Sequence, residues 1–143
     1  MRIVFVGQNP SRSSNQVEAF IGTRSGRTLH GWLPRIGVLQ SDEVSFINAC
    51  EQRTEGNRRP SVKAVDHIEL SRRIRSLRPD VVFAVGSFAA QILSKTNLEY
   101  RHLWHPSGLN RLPNSQAQLE LHLSMHAAFV DNKRSSSEKR EEA

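Results

Sequence analysis

The residue types best suited to chemistry lie close together in one short segment, His105 to Arg111. The imidazole of His105 can donate a hydrogen bond or titrate near neutral pH. The hydroxyl of Ser107, the amide of Gly108 and the guanidinium of Arg111 are groups that bind phosphate. The proline and glycine of this segment exclude a regular helix or strand and predict a shaped turn. Taken alone, a segment of this kind is more often an ordinary surface turn, so the rest of the chain must decide.

Two asparagines occupy the ends of predicted strands. Arg2–Val6 is a run of apolar and β-branched residues that predicts a buried strand, and Asn9 follows it in a turn before a proline. Val44–Ala49 predicts a second strand, with Asn48 at its carboxyl end. Because open parallel sheets bind ligands at the carboxyl ends of their strands, we expect the two amide side chains to meet in one crevice. Asn9 is also a common turn-forming residue, and that reading stays open.

The remaining elements alternate between helix and strand. A first helix is expected over Thr23–Gly37, with Ser25 as a candidate N-cap and Gly37 as a candidate terminator. Pro34 conflicts with one long helix here, and a bend or an earlier end at this residue stays open. Further helices are expected over Val62–Leu77, Phe88–Ser94 and Asn114–Val130, and further strands over Val81–Val85 and Tyr100–Trp104. This alternation predicts βαβ units and a mostly parallel four-stranded sheet.

Composition narrows the class of protein. The 143 residues suffice for one domain, and no apolar run is long enough to span a membrane. The single cysteine excludes an internal disulfide and any metal or iron–sulfur site built only of cysteines, which favours an intracellular location. The net charge is +6 and arginine dominates the basic residues, as in proteins that bind nucleic acid. Residues 132–143 are charged and serine-rich, so we expect a disordered tail after a domain of residues 1–131.

Five motifs follow one another along the chain. They are Gly7-Gln8-Asn9-Pro10-Ser11; Phe20-Ile21-Gly22 with Gly26 and Leu29; Phe46-Ile47-Asn48 with Arg53 and Asn57-Arg58-Arg59-Pro60; Arg78-Pro79-Asp80 through Gly86-Ser87-Phe88-Ala89-Ala90; and His105-Pro106-Ser107-Gly108-Leu109-Asn110-Arg111. In this order, over most of residues 3–130, they resemble the uracil-DNA glycosylase superfamily. The resemblance implies an α/β fold, a three-layer sandwich whose central, mostly parallel four-stranded sheet is flanked by helices.

The match combines features of several branches of that family. The third and fourth motifs resemble the thermostable bacterial and archaeal branch, whose four cluster-binding cysteines this chain lacks. The most active branch has aspartate where this chain has Asn9, and asparagine there is similar to the mismatch-specific and single-strand-selective branches. The Gly-Leu-Asn-Arg sequence that begins at Gly108 is close to the wedge of the mismatch-specific branch.

The resemblance implies roles in binding and cleaving a uracil that is flipped out of DNA. Phe20 stacks on the base, and Asn48 offers one acceptor and one donor to its N3–H and O4. Gly7 and Gln8 contribute backbone contacts to the base. His105 donates a hydrogen bond to O2 as negative charge develops on the leaving uracil. Asn9 orients the attacking water, because an amide is not basic enough to remove its proton.

The resemblance also assigns DNA contacts. Leu109 fills the vacated base stack as an apolar wedge. The contacts to the strained backbone are expected from Ser107, Gly108, Asn110, Arg111, Arg58 and Arg59. The arginines of the loop that contains Arg58 are equally consistent with a role only in keeping the protein soluble. No metal or organic cofactor is implied. The expected partner is uracil-containing DNA, single- or double-stranded. The protein is expected to act as a monomer in the cytoplasm, associated with the nucleoid through DNA, and no membrane partner is expected.

Two other functions remain open on the sequence. A small Ser11 stands where the most active branch has a tyrosine that blocks the 5-methyl group of thymine, so another deaminated, mismatched or modified base is an alternative substrate. Residue 9 is asparagine rather than the aspartate of the most active branch, so a catalytically weak relative that binds DNA is the other alternative.

Overall fold

The computed structural model describes residues 1–8, 23–50, 65–106 and 115–142. Within these ranges, four strands form one parallel sheet in the order β2-β1-β3-β4. The strands are β1 (Arg2–Gly7), β2 (Glu43–Asn48), β3 (Val81–Val85) and β4 (Arg101–Leu103). Each lies within a residue or two of the bounds that the sequence predicted, and the prediction of a mostly parallel sheet is confirmed.

Helices cover both faces of the sheet. They are α1 (Arg24–Trp32), α2 (His67–Ser76), α3 (Ser87–Leu93) and α4 (Ser115–Glu142). The side chains of α2 and α3 pack on one face in a core with Val4 and Val6 of β1. Those of α1 and α4 pack on the other face with Ile3 and Phe5. Successive residues of a strand point to opposite faces, so β1 supplies both cores and the three-layer α/β sandwich is confirmed.

The first helix is shorter than the sequence predicted. The hydroxyl oxygen of Thr23, not of Ser25, caps α1 by accepting a hydrogen bond from the backbone N–H of Gly26 at 2.9 Å. The helix ends at Trp32, and a 3₁₀ turn over Pro34–Ile36 follows it. Proline has no N–H for an α-helical bond and restricts the residue before it, which explains why one helix over Thr23–Gly37 was wrong.

Helix α4 is longer than predicted. It continues to Glu142, whereas the sequence predicted its end at Val130. The polar composition of this segment was misleading because a helix that crosses the sheet can be anchored by a few buried residues while its other sides face water. Among the described residues, no helix is both long and apolar enough to cross a membrane.

A buried ion pair anchors the far part of α4. The carboxylate of Asp42 is fully buried, and both its oxygens accept hydrogen bonds from Arg134 at 2.7 Å. The carboxylate also accepts from the backbone N–H of Leu39 at 2.8 Å and from the amino group of Met1 at 3.0 Å. These hydrogen bonds, above all those from Arg134, hold the pKa of Asp42 far below its usual range. Arg134 binds the buried carboxylate of Asp42 through two parallel hydrogen bonds, so the loss of Arg134 would be costly.

Two histidines join α4 to the sheet near the end of β4. His126 is buried, and its Nδ1 accepts a hydrogen bond from Nε of Arg101 at 2.9 Å. The ring of His122 meets the ring of His126 edge-on at 4.5 Å. Burial lowers the pKa of both histidines to about 4, with smaller contributions from the charge of Arg101 and, for His126, from the adjacent His122. Both rings are therefore neutral in the folded protein at pH 7.

Replacing Arg134 by methionine is expected to destabilise the fold by about 3–5 kcal/mol, because it leaves the buried carboxylate of Asp42 without its principal partner. The measurement is the free energy of unfolding from urea denaturation at pH 7. Arg72→Met is the matched control, since Arg72 pairs with Glu69 on the exposed side of α2. An exposed pair of this kind contributes less than about 1 kcal/mol. Equal losses in the two variants would contradict the account of Arg134.

Acid is expected to destabilise the protein between pH 6.5 and pH 4. The pKa of each histidine is lowered by folding, so the folded state binds fewer protons than the unfolded state, and the stabilisation present above pH 6.5 is lost as pH falls. The slope is at most about 1.4 kcal/mol per pH unit for each histidine. Urea denaturation across this range measures it.

The variant that tests this slope is His122→Gln, which keeps a side-chain acceptor but removes one titrating group. It is expected to flatten the pH dependence, while His30→Gln, on an exposed residue of α1, serves as the control. The carboxylate of Asp42 adds to the slope only at the acid end of this window, where the unfolded chain begins to bind a proton that the folded protein excludes. An unchanged slope in His122→Gln would show that other groups cause the acid sensitivity.

Candidate active site

One half of the candidate site is the joined ends of β1 and β2. Gly7 is the register partner of Asn48, and the pairing continues past the strands. The N–H of Ala49 donates to the carbonyl of Gly7 at 2.9 Å, and the N–H of Cys50 donates to the carbonyl of Gln8 at 2.8 Å. Asn48 is only 6% exposed, so its side chain is largely removed from water.

The other half of the site joins the ends of β3 and β4. The N–H of Gly86, which links β3 to α3, donates to the carbonyl of Leu103 at 2.9 Å. Gly86 has a φ of +90°, and a Cβ built on it would lie 3.1 Å from Cδ2 of His105. A side chain at this position would therefore strain the backbone and press on the imidazole. Glycine allows the ring of His105 to lie directly against the start of α3.

The imidazole of His105 is half-buried in this position. Burial lowers its pKa below the usual value of 6.5, so the neutral ring predominates at pH 7. A neutral imidazole carries one N–H donor and one acceptor nitrogen. His105 can therefore donate a hydrogen bond without bringing a full positive charge into the site.

The strand order fixes how the two halves face each other. β2 and β4 are the outer strands, with β1 and β3 between them, so the backbones that carry Asn48 and lead to His105 are about 14 Å apart at the usual spacing of strands. The chain leaves β1 toward β2 on one side and returns to β3 on the other, which makes the ends of β1 and β3 the switch point of the sheet. Asn48 and His105 therefore lie on either side of that switch point.

The structure thus brings part of the predicted site together. Gly7, Gln8, Asn48 and His105 lie at the carboxyl edge of one sheet, as the sequence predicted for residues at strand ends. The other predicted site residues lie outside the described residues: Asn9, Phe20, Arg58, Arg59, Ser107, Gly108, Leu109, Asn110 and Arg111.

Sequence reasoning missed two contributors to this edge. Gly86 was named only as part of the fourth motif, and its contact with His105 depends on the pairing of β3 with β4. Trp104 was read only as the end of a strand, yet its ring stacks on His122 of α4 at 4.3 Å. A glycine placed directly between a buried strand and a helix was the available signal for close approach at Gly86.

The donor set does not favour a metal. Within the described ranges, histidine, cysteine, aspartate and glutamate side chains nowhere gather in a group of three that can hold an ion. The groups that Asn48 and His105 bring to the edge are an amide and a neutral imidazole, which suit hydrogen bonding to a polar heterocycle.

Comparison with known proteins places the chain in a family. The model of the uracil DNA glycosylase superfamily matches residues 1–124. A type-4 uracil-DNA glycosylase from Archaeoglobus fulgidus is 35% identical over 94 residues, which are 64% of this chain and 46% of that protein. The chain therefore spans about half the length of this curated relative. Since the family match covers most of the chain and includes every strand of the sheet, the protein belongs to the uracil DNA glycosylase superfamily.

Proposed function

We propose that the protein is a monofunctional uracil-DNA glycosylase that hydrolyses the bond between uracil and deoxyribose and leaves an abasic site. The observation that carries the proposal is the placement of Asn48 and His105 at one edge of the sheet, on either side of its switch point. The similarity to a protein named as a type-4 uracil-DNA glycosylase supports it. The base must leave the duplex to reach this edge, because the glycosidic bond is inaccessible in stacked DNA.

Asn48 is proposed to select uracil. Its amide oxygen accepts from N3–H of the base and its amide nitrogen donates to O4, whereas cytosine presents the opposite pair. Asn48 is 6% exposed, so a base with the opposite pair would set donor against donor and acceptor against acceptor away from water.

His105 is proposed to stabilise the leaving base. As the bond between C1′ and N1 breaks, its electron pair remains on uracil, and the N–H of the neutral imidazole donates to O2 where charge accumulates. A water oxygen bonds to C1′ and loses a proton to solvent, and the uracil anion takes up a proton from solvent, so the products are an abasic sugar and uracil. Because burial lowers the pKa of His105, its imidazole is neutral at physiological pH and carries the N–H that this step needs.

The remaining roles are proposed from the sequence alone. Asn9 orients the water, Phe20 stacks on the base and Leu109 replaces the base in the duplex. The phosphate contacts fall to the arginine-containing loops and to Ser107. With asparagine rather than aspartate near the water, turnover is expected to be slow, and no metal is required.

His105→Ala is expected to lower kcat roughly 10²–10³-fold, the usual effect of removing one preorganised donor. Asn48→Ala is expected to lower kcat/KM roughly 10-fold to 100-fold through the loss of two hydrogen bonds. The measurement is a single-turnover assay on single-stranded uracil DNA and on U·A, U·G and T·G duplexes, with alkali to break abasic strands.

His30→Ala is the matched control for these variants. His30 is exposed near the end of α1, which precedes β2, and β2 is the outer strand on the side of the sheet opposite β4. It should cleave like the wild type. Folded His105→Ala protein that cleaves uracil DNA at the wild-type rate would refute the role of His105. A wild-type protein that prefers another lesion by a wide margin would refute uracil as the substrate.

Gly86→Ala is expected to reduce kcat because the new Cβ displaces the imidazole of His105. Gly37→Ala is the matched control, since Gly37 also has a positive φ, +89°, and its Cβ would lie 3.2 Å from Val130 of α4. Both variants should lose stability by about 1–3 kcal/mol. Only Gly86→Ala should lose catalysis when both are assayed under conditions in which they remain folded. Equal kcat in the two variants would show that the contact with Gly86 does not position His105.

A further inference from the structure

Trp104 presents an aromatic ring to solvent beside the candidate active site. Its side chain is 41% exposed, although it directly precedes the half-buried His105. An exposed tryptophan is uncommon on a protein surface unless it contributes to binding. Neither the selection of the base nor its cleavage, as derived above, uses this ring.

The ring of Trp104 is held in place from one side. It stacks on the imidazole of His122 with the ring centroids 4.3 Å apart and the planes 13° from parallel. The backbone N–H of Trp104 also donates to Nε2 of His122 at 3.0 Å. One side chain of α4 therefore fixes both the backbone and the ring, and little conformational entropy remains to be lost when the ring binds a ligand.

His122 is itself supported by the buried layer behind it. Its ring rests edge-on against His126, and His126 accepts a hydrogen bond from Arg101. The guanidinium of Arg101 lies 4.3 Å from the ring centre of Phe129. Each group in this series is packed against the next, so the surface that backs Trp104 is rigid.

We infer that Trp104 is a stacking platform for a nucleobase of the DNA strand that flanks the flipped nucleotide. The inference rests on the proposed function and extends it to a second base. One face of the indole is occupied by His122, and a base on the accessible part of the ring would extend the existing stack. Aromatic stacking of this kind binds single-stranded DNA with little dependence on sequence.

The position in the chain favours DNA over other partners. Neighbouring Cα atoms are about 3.8 Å apart, so a strand whose sugar reaches His105 passes within roughly one or two nucleotides of Trp104. The net charge of +6 favours a polyanion. Leu121 and Met125 are also exposed, one turn apart on α4 and near His122 in sequence, and a protein partner would use them together with Trp104. Binding of a protein instead of DNA is therefore the competing outcome.

Tryptophan fluorescence tests the inference directly. The chain has two tryptophans, and Trp32 is only 7% exposed in the core. Titration with a short single strand that lacks uracil should quench the emission in the wild type and in Trp32→Phe. The quench should disappear in Trp104→Phe, while fluorescence anisotropy of a labelled strand still reports binding. Anisotropy-detected binding without any quench in the wild type would overturn the inference.

Kinetics on single-stranded uracil DNA give a second readout. Trp104→Ala should raise KM roughly 10-fold, the low end of the range for losing one stacked base, and should raise it more than it lowers kcat. Trp104→Phe should recover part of the loss, because a smaller ring still stacks. A kcat that falls with KM unchanged would mean that Trp104 only positions His105, and would overturn the platform.

The two proposals fail separately. Quenching by uracil-free DNA in a protein that releases no uracil would reject the glycosylase and retain the platform. Release of uracil without quenching would reject the platform and retain the glycosylase. Replacement of Leu121 and Met125 by serine should leave the quench intact, and its loss would show that the patch on α4, rather than the indole, contacts the strand.

Discussion

The parallel pairing of all four described strands is the constraint on which the site depends. It brings every carboxyl end to one edge, so the partner of Gly7 is Asn48 and the N–H of Gly86 reaches the carbonyl of Leu103. A shift of one residue in either pairing would turn the side chains to the opposite face. The buried, two-sided core of β1 and β3 prevents such a shift, because it would expose residues that pack against helices on both sides. Core packing and site geometry therefore have the same origin.

Helix α4 connects the two edges of the sheet. At the carboxyl edge His122 holds Trp104, the residue before His105, through its backbone and its ring. At the amino edge Arg134 binds Asp42 just before β2 begins. The helix is therefore attached to the loop of the site at one end and to the base of the sheet at the other. Damage to the distant ion pair is expected to act on the site only through the stability of the fold, whereas His122 acts on it locally.

The sequence was informative wherever a residue's environment is set by its neighbours in the chain. β3 was predicted at its observed bounds because five successive apolar residues fit a strand that is buried on both faces. Asn48 was placed correctly because it ends β2, whose Val44, Phe46 and Ile47 identify it as a strand. The last helix was cut short because the partner of Arg134 lies 92 positions away, and the contact of Gly86 with His105 requires the strand order. The family resemblance supplied the base and its proposed contacts, which spacing alone does not specify.

The central claim is that this edge of the sheet binds uracil from DNA and breaks its bond to the sugar. Mass spectrometry of an intact single strand with one uracil, before and after incubation with the protein, tests it most directly. The account predicts free uracil and a full-length strand that has lost the base and gained one water, and both should form far more slowly with His105→Ala. A strand of unchanged mass after prolonged incubation with excess folded protein, or one broken in its backbone without release of uracil, would contradict it.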